Sequence, residues 1–325
     1  MFRVLMIEGR CGLRNMKGKR TLLKILMIIC AVVLLLTAAL IWVMPAFSMT
    51  GSRQTLEETF AWQSDHYDTS FYGELEKTAY TVNAEDGYVL HAELLKNPEE
   101  TTDYVIISHG YTDNRMGALK YVPAYLDLGY NCIIYDLRGH GENEETFTTY
   151  GIREGRDLDC MIRDARERYG DMTSLGIHGE SLGAATTVMC LKYKPDVDFA
   201  VADCGFSDIE GVLRHMYESN HMPGLLVDLA DIGSRIRYHY AIKDMRPIDS
   251  LADNTVPVLF IHGAEDDFIL PENSEAMAAA TKGRSELCLI LGAGHAESVL
   301  KEPEMYKEAL KGFLPGSKME YNSGN

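Results

Sequence analysis

The stretch LGIHGESLGAA, residues 175–185, decides the fold of this chain. Its short apolar beginning predicts a buried strand, and the residues after Ser181 predict a helix. Ser181 therefore lies on the turn between them, at the centre of a Gly-x-Ser-x-Gly pattern. Such a turn strains its corner residue and needs small neighbours, which Gly179 and Gly183 provide. The turn raises the serine hydroxyl above the sheet at a helix N-terminus, as an acyl-transfer nucleophile requires.

Alone, the Gly-x-Ser-x-Gly pattern also fits a flexible turn, so the flanking sequence has to distinguish a nucleophile from a flexible turn. On both sides of it, short apolar runs alternate with segments of helical spacing. Strands are predicted at 78–83, 88–95, 104–108, 132–137, 175–177, 199–203, 256–261 and 286–291, and helices at 116–128, 155–169, 182–192, 272–281 and 296–313. This alternation predicts an α/β fold with a mostly parallel central sheet and helices on both faces. The first two strands flank a turn signal at 85–87 and predict an antiparallel hairpin.

Polar side chains follow the predicted strands at their carboxyl ends, the edge where open α/β sheets bind ligands. A serine hydroxyl needs a base to take its proton, and that base needs a third group to hold it. His295 follows the last strand on a glycine-rich loop, and Asp266 follows the strand before it. We therefore expect Ser181, His295 and Asp266 to act as nucleophile, base and orienting acid.

Five motifs resemble those of the α/β-hydrolase superfamily, in its serine-aminopeptidase-like and monoglyceride-lipase-like branch, which has membrane-anchored bacterial members. They are SHGYTDN (108–114), YDLRGHGEN (135–143), HGESLGAA (178–185), HGAEDDFILP (262–271) and GAGHAES (292–298). The resemblance implies the α/β-hydrolase fold and the roles given above for Ser181, Asp266 and His295. It also implies an oxyanion hole made by the backbone N–H groups of Tyr111 and Leu182.

Two departures from the family pattern leave alternatives for the acid. An extra residue, Leu270, precedes Pro271, so Asp267 remains a candidate beside Asp266. Asp203, at the end of another strand, is a second position that the family uses. The segment that supplies the first oxyanion-hole residue reads His-Gly-Tyr here, whereas many lipases have a glycine-rich sequence at this place. The substrate class of those lipases is therefore not implied for this chain.

Several polar residues near these motifs have structural interpretations. We expect His109 to brace its loop, and His140 to be structural, with Arg138 pairing with loop carbonyls or acids. Asp136 is expected to pair with Arg138 or to cap a turn. Glu180 is expected to form a buried ion pair, with a contact to substrate as the alternative.

The segment 25–47 holds 23 residues without a charge, enough for a helix that crosses the hydrocarbon core of a membrane. Seven basic side chains and one acidic one precede it, which predicts a cytoplasmic N-terminus and an extracytoplasmic catalytic domain at the cell membrane. A signal peptide cleaved near Ala46-Phe47-Ser48 is the alternative. Translation could start at Met1 or at Met16.

The resulting division is a basic segment 1–24, an anchor 25–47, a linker 48–77, a hydrolase domain 78–314 and a tail 315–325. Within the domain, residues 205–250 interrupt the alternation and resemble the lid that the family inserts there. Its apolar, methionine-rich first half, 209–229, predicts an adaptable wall for an acyl group, or else ordinary cap helices.

The charge and cysteine patterns exclude several classes of function. The net charge is −17, and without the seven basic and one acidic side chains of residues 1–24 the remaining 24 basic and 47 acidic ones give −23, which argues against nucleic-acid binding. The seven cysteines show no C-x-x-C pair or metal-ligand spacing, and we expect no metal or cofactor.

The predicted function is that of a serine hydrolase that cleaves carboxylic esters or thioesters through an acyl-enzyme on Ser181. A peptidase or amidase with the same residues is the alternative, and a non-catalytic binding protein on this fold is a further one. The expected partners are a small-molecule acyl or peptide substrate and, through the anchor, the membrane.

Overall fold

The computed structural model describes residues 11–315. Two ranges lie outside it: positions 1–10 of the predicted basic segment and positions 316–325 of the predicted tail. The first of these includes the acidic residue of the basic segment and the possible start at Met1. The strands are β1 (Lys77–Asn83), β2 (Val89–Leu95), β3 (Asp103–Ser108), β4 (Tyr130–Tyr135), β5 (Ser174–Glu180), β6 (Phe199–Asp203), β7 (Val258–Gly263) and β8 (Ser285–Ile290).

The helices surround these strands along the chain. They are α1 (Cys11–Met49), α2 (Leu56–His66), α3 (Ser70–Glu74), α4 (Val122–Asp127), α5 (Ile152–Tyr169), α6 (Leu182–Cys190), α7 (Ile209–Ser219), α8 (Leu225–Arg237), α9 (Glu272–Ala280), α10 (Ser298–Lys301) and α11 (Pro303–Phe313). Short 3-10 helices lie at Arg115–Tyr121, Leu191–Tyr193, Ile242–Asp244 and Pro247–Ser250.

In the described part of the chain, the strands form one eight-stranded sheet in the order β1-β2-β4-β3-β5-β6-β7-β8. The hairpin of β1 and β2 is antiparallel, β2 is antiparallel to β4, and all other neighbours are parallel. The sheet therefore has the predicted α/β-hydrolase architecture. Parallel pairing brings the carboxyl ends of β3 to β8 to one edge, the edge where the candidate site is found.

Alternate residues of the central strands belong to two separate hydrophobic cores, one on each face of the sheet. In β3, Ile106 points into one core, whereas Val105 and Ile107 point into the other. Helices α5, α6 and α7 cover the first face, and α4 and α11 cover the second. Burial on both faces explains the continuous apolar character of these strands.

Two of the predicted helices are interrupted, and proline accounts for both interruptions. The stretch predicted as a helix at 116–128 is a 3-10 helix followed by α4, with Pro123 in the first turn of α4. The predicted final helix, 296–313, divides into α10 and α11, with Pro303 as the first residue of α11. Proline lacks the N–H that an uninterrupted helix needs at these positions, but it suits a first turn.

Helix α1 is the one helix within residues 11–315 that is long and apolar enough to cross a membrane. Its span, Lys19–Met49, would measure roughly 46 Å at about 1.5 Å per residue, more than the roughly 30 Å of a hydrocarbon core. Most of its apolar side chains are exposed, whereas its last residue, Met49, is fully buried. The C-terminal end of α1 packs against α8 of the predicted lid.

The predicted linker, 48–77, forms helices α2 and α3, which pack on the domain. Helix α2 begins with a capping box, in which Thr55 and Glu58 each bond the other's backbone N–H. Asn114 donates to the side chain of Thr59 at 2.7 Å and so joins α2 to the loop after β3. This segment consequently holds the C-terminal end of α1 close to the loop after β3.

Candidate active site

The turn at Ser181 has the strained geometry that the sequence predicts. Ser181 has φ of 53° and ψ of −109°, although it is not a glycine. A Cβ on Gly179 would lie 2.0 Å from the carbonyl oxygen of Gly183, and a Cβ on Gly183 would lie 2.1 Å from that of Ser108. Both glycines are therefore required for strand β5, helix α6 and strand β3 to approach one another.

Ser181, His295 and Asp266 lie together at the carboxyl edge of the sheet in one hydrogen-bonded chain. The Ser181 Oγ lies 3.1 Å from the Nε2 of His295, and the Nδ1 of His295 lies 2.7 Å from the Oδ2 of Asp266. Since a carboxylate only accepts, Nδ1 donates to Asp266 and Nε2 is left to accept the serine proton. The arrangement has the connectivity of a serine nucleophile, a base and an orienting acid.

The Asp266 carboxylate is buried and fully engaged by donors. Its Oδ1 accepts from the backbone N–H groups of Phe268 and Ile269, at 3.0 and 2.9 Å. Burial acts to raise the pKa of Asp266, but hydrogen bonds from His262 and His295 outweigh it and hold the pKa well below the usual range. The group is therefore an anion at neutral pH, suited to stabilise an imidazolium.

The two alternative acids have other surroundings. Asp267 is exposed, and its backbone carbonyl accepts a hydrogen bond from His215. Asp203 is buried, and its Oδ2 lies 3.1 Å from the Tyr121 hydroxyl. Of the three candidate acids, Asp266 is the one whose carboxylate is hydrogen-bonded to His295.

The loop after β3 holds Tyr111, the first predicted oxyanion-hole residue. The Nε2 of His109 accepts from the Leu137 N–H, so its Nδ1 carries the proton and donates to the Gly110 carbonyl at 2.7 Å. This bond orients the peptide that carries the Tyr111 N–H. The ring of His140 bonds the Tyr111 carbonyl at 2.5 Å. Both histidines therefore brace the loop, in agreement with the sequence-based interpretation.

The second predicted oxyanion-hole residue, Leu182, is the first residue of α6. Backbone N–H groups in the first turn of a helix have no acceptor within that helix and face outward along its axis. The backbone N–H of Leu182 is therefore in the first turn of a helix, the position that stabilises a negative charge developing beside Ser181.

A buried ion pair lies beside Ser181, and its cation was not predicted from the sequence. Lys120 and Glu180 lie 2.5 Å apart, and both side chains are almost inaccessible to solvent. Tyr121 donates to Glu180 at 2.5 Å as well, and Lys120 also donates to the backbone carbonyl of Ala296, the residue after His295. The prediction that Glu180 forms a buried ion pair is therefore correct. Its partner, Lys120, is sixty positions away in the sequence and lies outside the five motifs.

Asp136 does not pair with Arg138, but it caps turns, the alternative role predicted for it, since it accepts the backbone N–H groups of Arg115 and Glu142. Asp136 pairs with Arg115 at 2.5 Å and accepts the backbone N–H of the same residue. Arg138 binds Asp157 on α5 and Asp86 in the turn of the hairpin. Asp136 and Arg138 therefore each pair with residues of other elements and not with each other.

Two cavities open onto Ser181 from different sides. The first, of about 530 Å³, is the more polar of the two, and its walls include Gln63, Asp113, Lys120 and Glu180. The second, of about 650 Å³, is largely apolar and lies between α1 and α7; its walls include Val43, Phe47, Val212, Leu213, Met216 and Phe268. A substrate bound at Ser181 would therefore have one polar and one apolar side.

The fold and the arrangement at Ser181 define an α/β hydrolase of the serine type. The sequence model of the prolyl oligopeptidase family matches residues 118–311, and the chain belongs to this family. The protein YqkD of Bacillus subtilis is 30% identical over 268 residues, covering 81% of this chain and 88% of that protein. The mouse α/β hydrolase domain-containing protein 17C is 28% identical over 237 residues, covering 65% of this chain and 67% of the relative.

Solved structures share the fold at lower sequence identity. The esterase Pf2001 of Pyrococcus furiosus superposes with a TM-score of 0.62 at 22% identity, over 76% of this chain and 94% of the esterase. The acylaminoacyl peptidase of Pyrococcus horikoshii superposes with a TM-score of 0.57 at 18% identity, over 80% of this chain and 45% of that enzyme. At these identities the likeness concerns the fold.

Proposed function

We propose that this protein is a serine hydrolase that cleaves carboxylic esters or thioesters. In this reaction Ser181 attacks the carbonyl carbon while His295 takes the hydroxyl proton, and Asp266 stabilises the resulting imidazolium. His295 then gives the proton to the leaving alcohol or thiol. In the second half, a water deprotonated by His295 attacks the acyl-enzyme and releases the acid and free Ser181.

The tetrahedral intermediates carry a negative oxygen, which we assign to the backbone N–H groups of Tyr111 and Leu182. The hydrogen bonds that His109 and His140 make to the loop support this assignment, because they fix the peptides on both sides of Tyr111. Each such donor is expected to lower the barrier by about 3 to 4 kcal/mol.

The observation that carries the proposal is the hydrogen-bonded chain Ser181–His295–Asp266 beside an apolar cavity that Ser181 lines. An apolar wall beside the nucleophile favours an acyl group, whose methylenes gain from leaving water. The polar cavity on the other side suits the leaving group.

A peptidase with the same reacting residues is the second candidate, and the polar cavity favours it. Asp113 and Glu180 in its wall are carboxyl groups that could attract the amino terminus of a peptide. Glu180 is already paired with Lys120. Burial and the neighbouring Glu180 raise the pKa of Asp113 to about 6, so this carboxyl is a weaker anion than an exposed one.

We also propose that α1 anchors the enzyme with its N-terminus in the cytoplasm and the hydrolase domain outside it. The basic side chains before the apolar segment support this orientation. Protease added to intact cells without their wall should then cleave the domain. Complete protection of the domain would reverse the orientation.

A fluorophosphonate probe tests the proposed nucleophile directly. We expect covalent labelling of Ser181 in the full-length protein, and no labelling of Ser181→Ala. Absence of labelling in folded protein, or labelling of another residue, would refute the proposal. Comparison of kcat/KM for p-nitrophenyl esters, acyl thioesters and aminoacyl amides would then separate an esterase or thioesterase from a peptidase.

A further inference from the structure

We propose that the membrane helix α1 forms one wall of the acyl-binding site, and that a long acyl chain enters the site directly from the bilayer leaflet around the C-terminal end of α1. The substrate class is thus an ester or thioester whose acyl chain resides in the membrane. This inference rests on the proposed function, which it makes more specific.

The apolar cavity is built by α1 and the lid together. Val43, Ala46 and Phe47 of α1 line one side, and Val212 of α7 lines the other, while Ser181 lies at its inner end beside Leu182. Its volume of about 650 Å³ is within the roughly 300 to 1,000 Å³ of small-molecule sites. A chain attached to the carbonyl at Ser181 would therefore run toward the membrane helix.

The mouth of this cavity lies at the depth of the membrane interface. The last charged side chain before the apolar segment is Lys24, and about 20 helical residues cross a hydrocarbon core, so the core ends near Met44. Val43 and Phe47, on the cavity wall, are 57% and 69% exposed in the protein. Trp42, an aromatic residue typical of this interface, is the neighbour of Val43.

Helix α8 of the lid presents a second apolar surface beside α1. Leu225, Ile232 and Ile236 are exposed at spacings of seven and four residues, which puts them on one side of α8. Arg237, at the end of this helix, donates to the Trp42 carbonyl of α1 and stacks on its ring. An exposed apolar stripe beside a membrane-spanning helix fits the bilayer surface.

Contacts with α8 and with Tyr111 hold α1 in this position. A Cβ on Gly233 of α8 would lie 1.8 Å from the backbone oxygen of Ile41, so a glycine is required where the helices cross. In the cavity wall, the Tyr111 hydroxyl donates to the Ser48 carbonyl at 3.1 Å and accepts from the Gly51 N–H at 2.9 Å. The side chain of the proposed oxyanion residue thus holds the end of the membrane helix.

The first test fills the cavity from the α1 side. In Ala46→Trp, we expect the ratio of kcat/KM for a dodecanoyl p-nitrophenyl ester to that for the acetyl ester to fall at least tenfold. Each methylene that loses its buried position costs about fourfold. Ala39→Trp is the matched control, since it has the same change on the same helix but away from the cavity, and its ratio should match the wild type. An unchanged ratio in Ala46→Trp would overturn the inference.

The second test concerns entry from the bilayer, with the full chain in phosphatidylcholine vesicles. We expect Gly233→Leu, which pushes α1 from the lid, to lower turnover of a dodecanoyl thioester embedded in the vesicles at least tenfold. Gly312→Leu is the control, because a Cβ at Gly312 meets nothing within 4 Å. A dodecanoyl thioester on a water-soluble carrier also needs the α1 wall but not the bilayer, so its turnover should fall less; an equal loss toward both substrates would refute entry from the bilayer.

The outcomes separate this inference from the proposed function. If the wild type is labelled by fluorophosphonate and hydrolyses acetyl and dodecanoyl esters equally well, the enzyme class stands and the acyl site on α1 is refuted. If it is neither labelled nor active on any ester or thioester, the proposed function itself fails.

Discussion

Replacing Asp266 with asparagine would test how His295 is held. The Oδ1 of the amide can still accept from the backbone N–H groups of Phe268 and Ile269, so the loop should keep its shape. The amide NH₂ would then face the Nδ1 of His295, where the carboxylate oxygen now accepts at 2.7 Å. This favours the tautomer that carries its proton on Nε2, which cannot accept a proton from Ser181.

The size of the effect follows from the charge that develops on His295. Unit charges about 4 Å apart attract by about 4 kcal/mol at an effective dielectric constant of about 20. Loss of this attraction alone lowers kcat roughly a thousandfold, since about 1.4 kcal/mol corresponds to a factor of ten. The unfavourable tautomer adds to the loss, so we expect a decrease of about 10³- to 10⁴-fold for Asp266→Asn.

The assay is kcat/KM for a p-nitrophenyl ester, with thermal unfolding to show that the variant is folded. Asp267→Asn is the matched control, because this neighbouring residue is exposed and bonds His215 through its backbone only. We expect it to stay within twofold of the wild type. A loss of less than tenfold in Asp266→Asn, or a larger loss in Asp267→Asn, would refute the reasoning.

Three further changes test the structure around the site. Lys120→Met leaves Glu180 as an unpaired buried charge and should lower the free energy of unfolding by about 3 to 5 kcal/mol in urea titration; a loss below 1 kcal/mol would contradict the buried pair. Burial and the nearby Glu180 raise the pKa of Asp203 to about 6, so the folded chain binds this proton more tightly than the unfolded one. The contribution of Asp203 to the free energy of unfolding of the wild type should therefore decrease as pH rises from about 4 to about 6. Asp203→Asn should consequently melt at a higher temperature than the wild type at pH 7.5 but not at pH 4. Gly183→Ala should abolish fluorophosphonate labelling or folding, because its Cβ would clash with backbone, whereas Gly312→Ala should keep both.

Much of the fold could be predicted because its signals are local. Apolar runs buried on both faces of a sheet differ from helical spacing within a few residues, and the strands were therefore predicted to within a few positions. The glycines around Ser181 predict a tight strand-to-helix turn, and this signal is also local in the sequence. Helix interruptions at Pro123 and Pro303 were missed, since a proline is also compatible with a helix that begins at that point.

The amino-acid sequence by itself determined the sheet, the turn at Ser181, and the positions of His295 and Asp266 after neighbouring strands. The tertiary structure alone decided which carboxylate meets the His295 ring, which cation pairs with Glu180, and that the end of α1 lines the apolar cavity. The physical reason is distance along the chain. Strands and turns arise from interactions between near neighbours, whereas ion pairs and cavity walls join residues that only packing of the whole domain brings together.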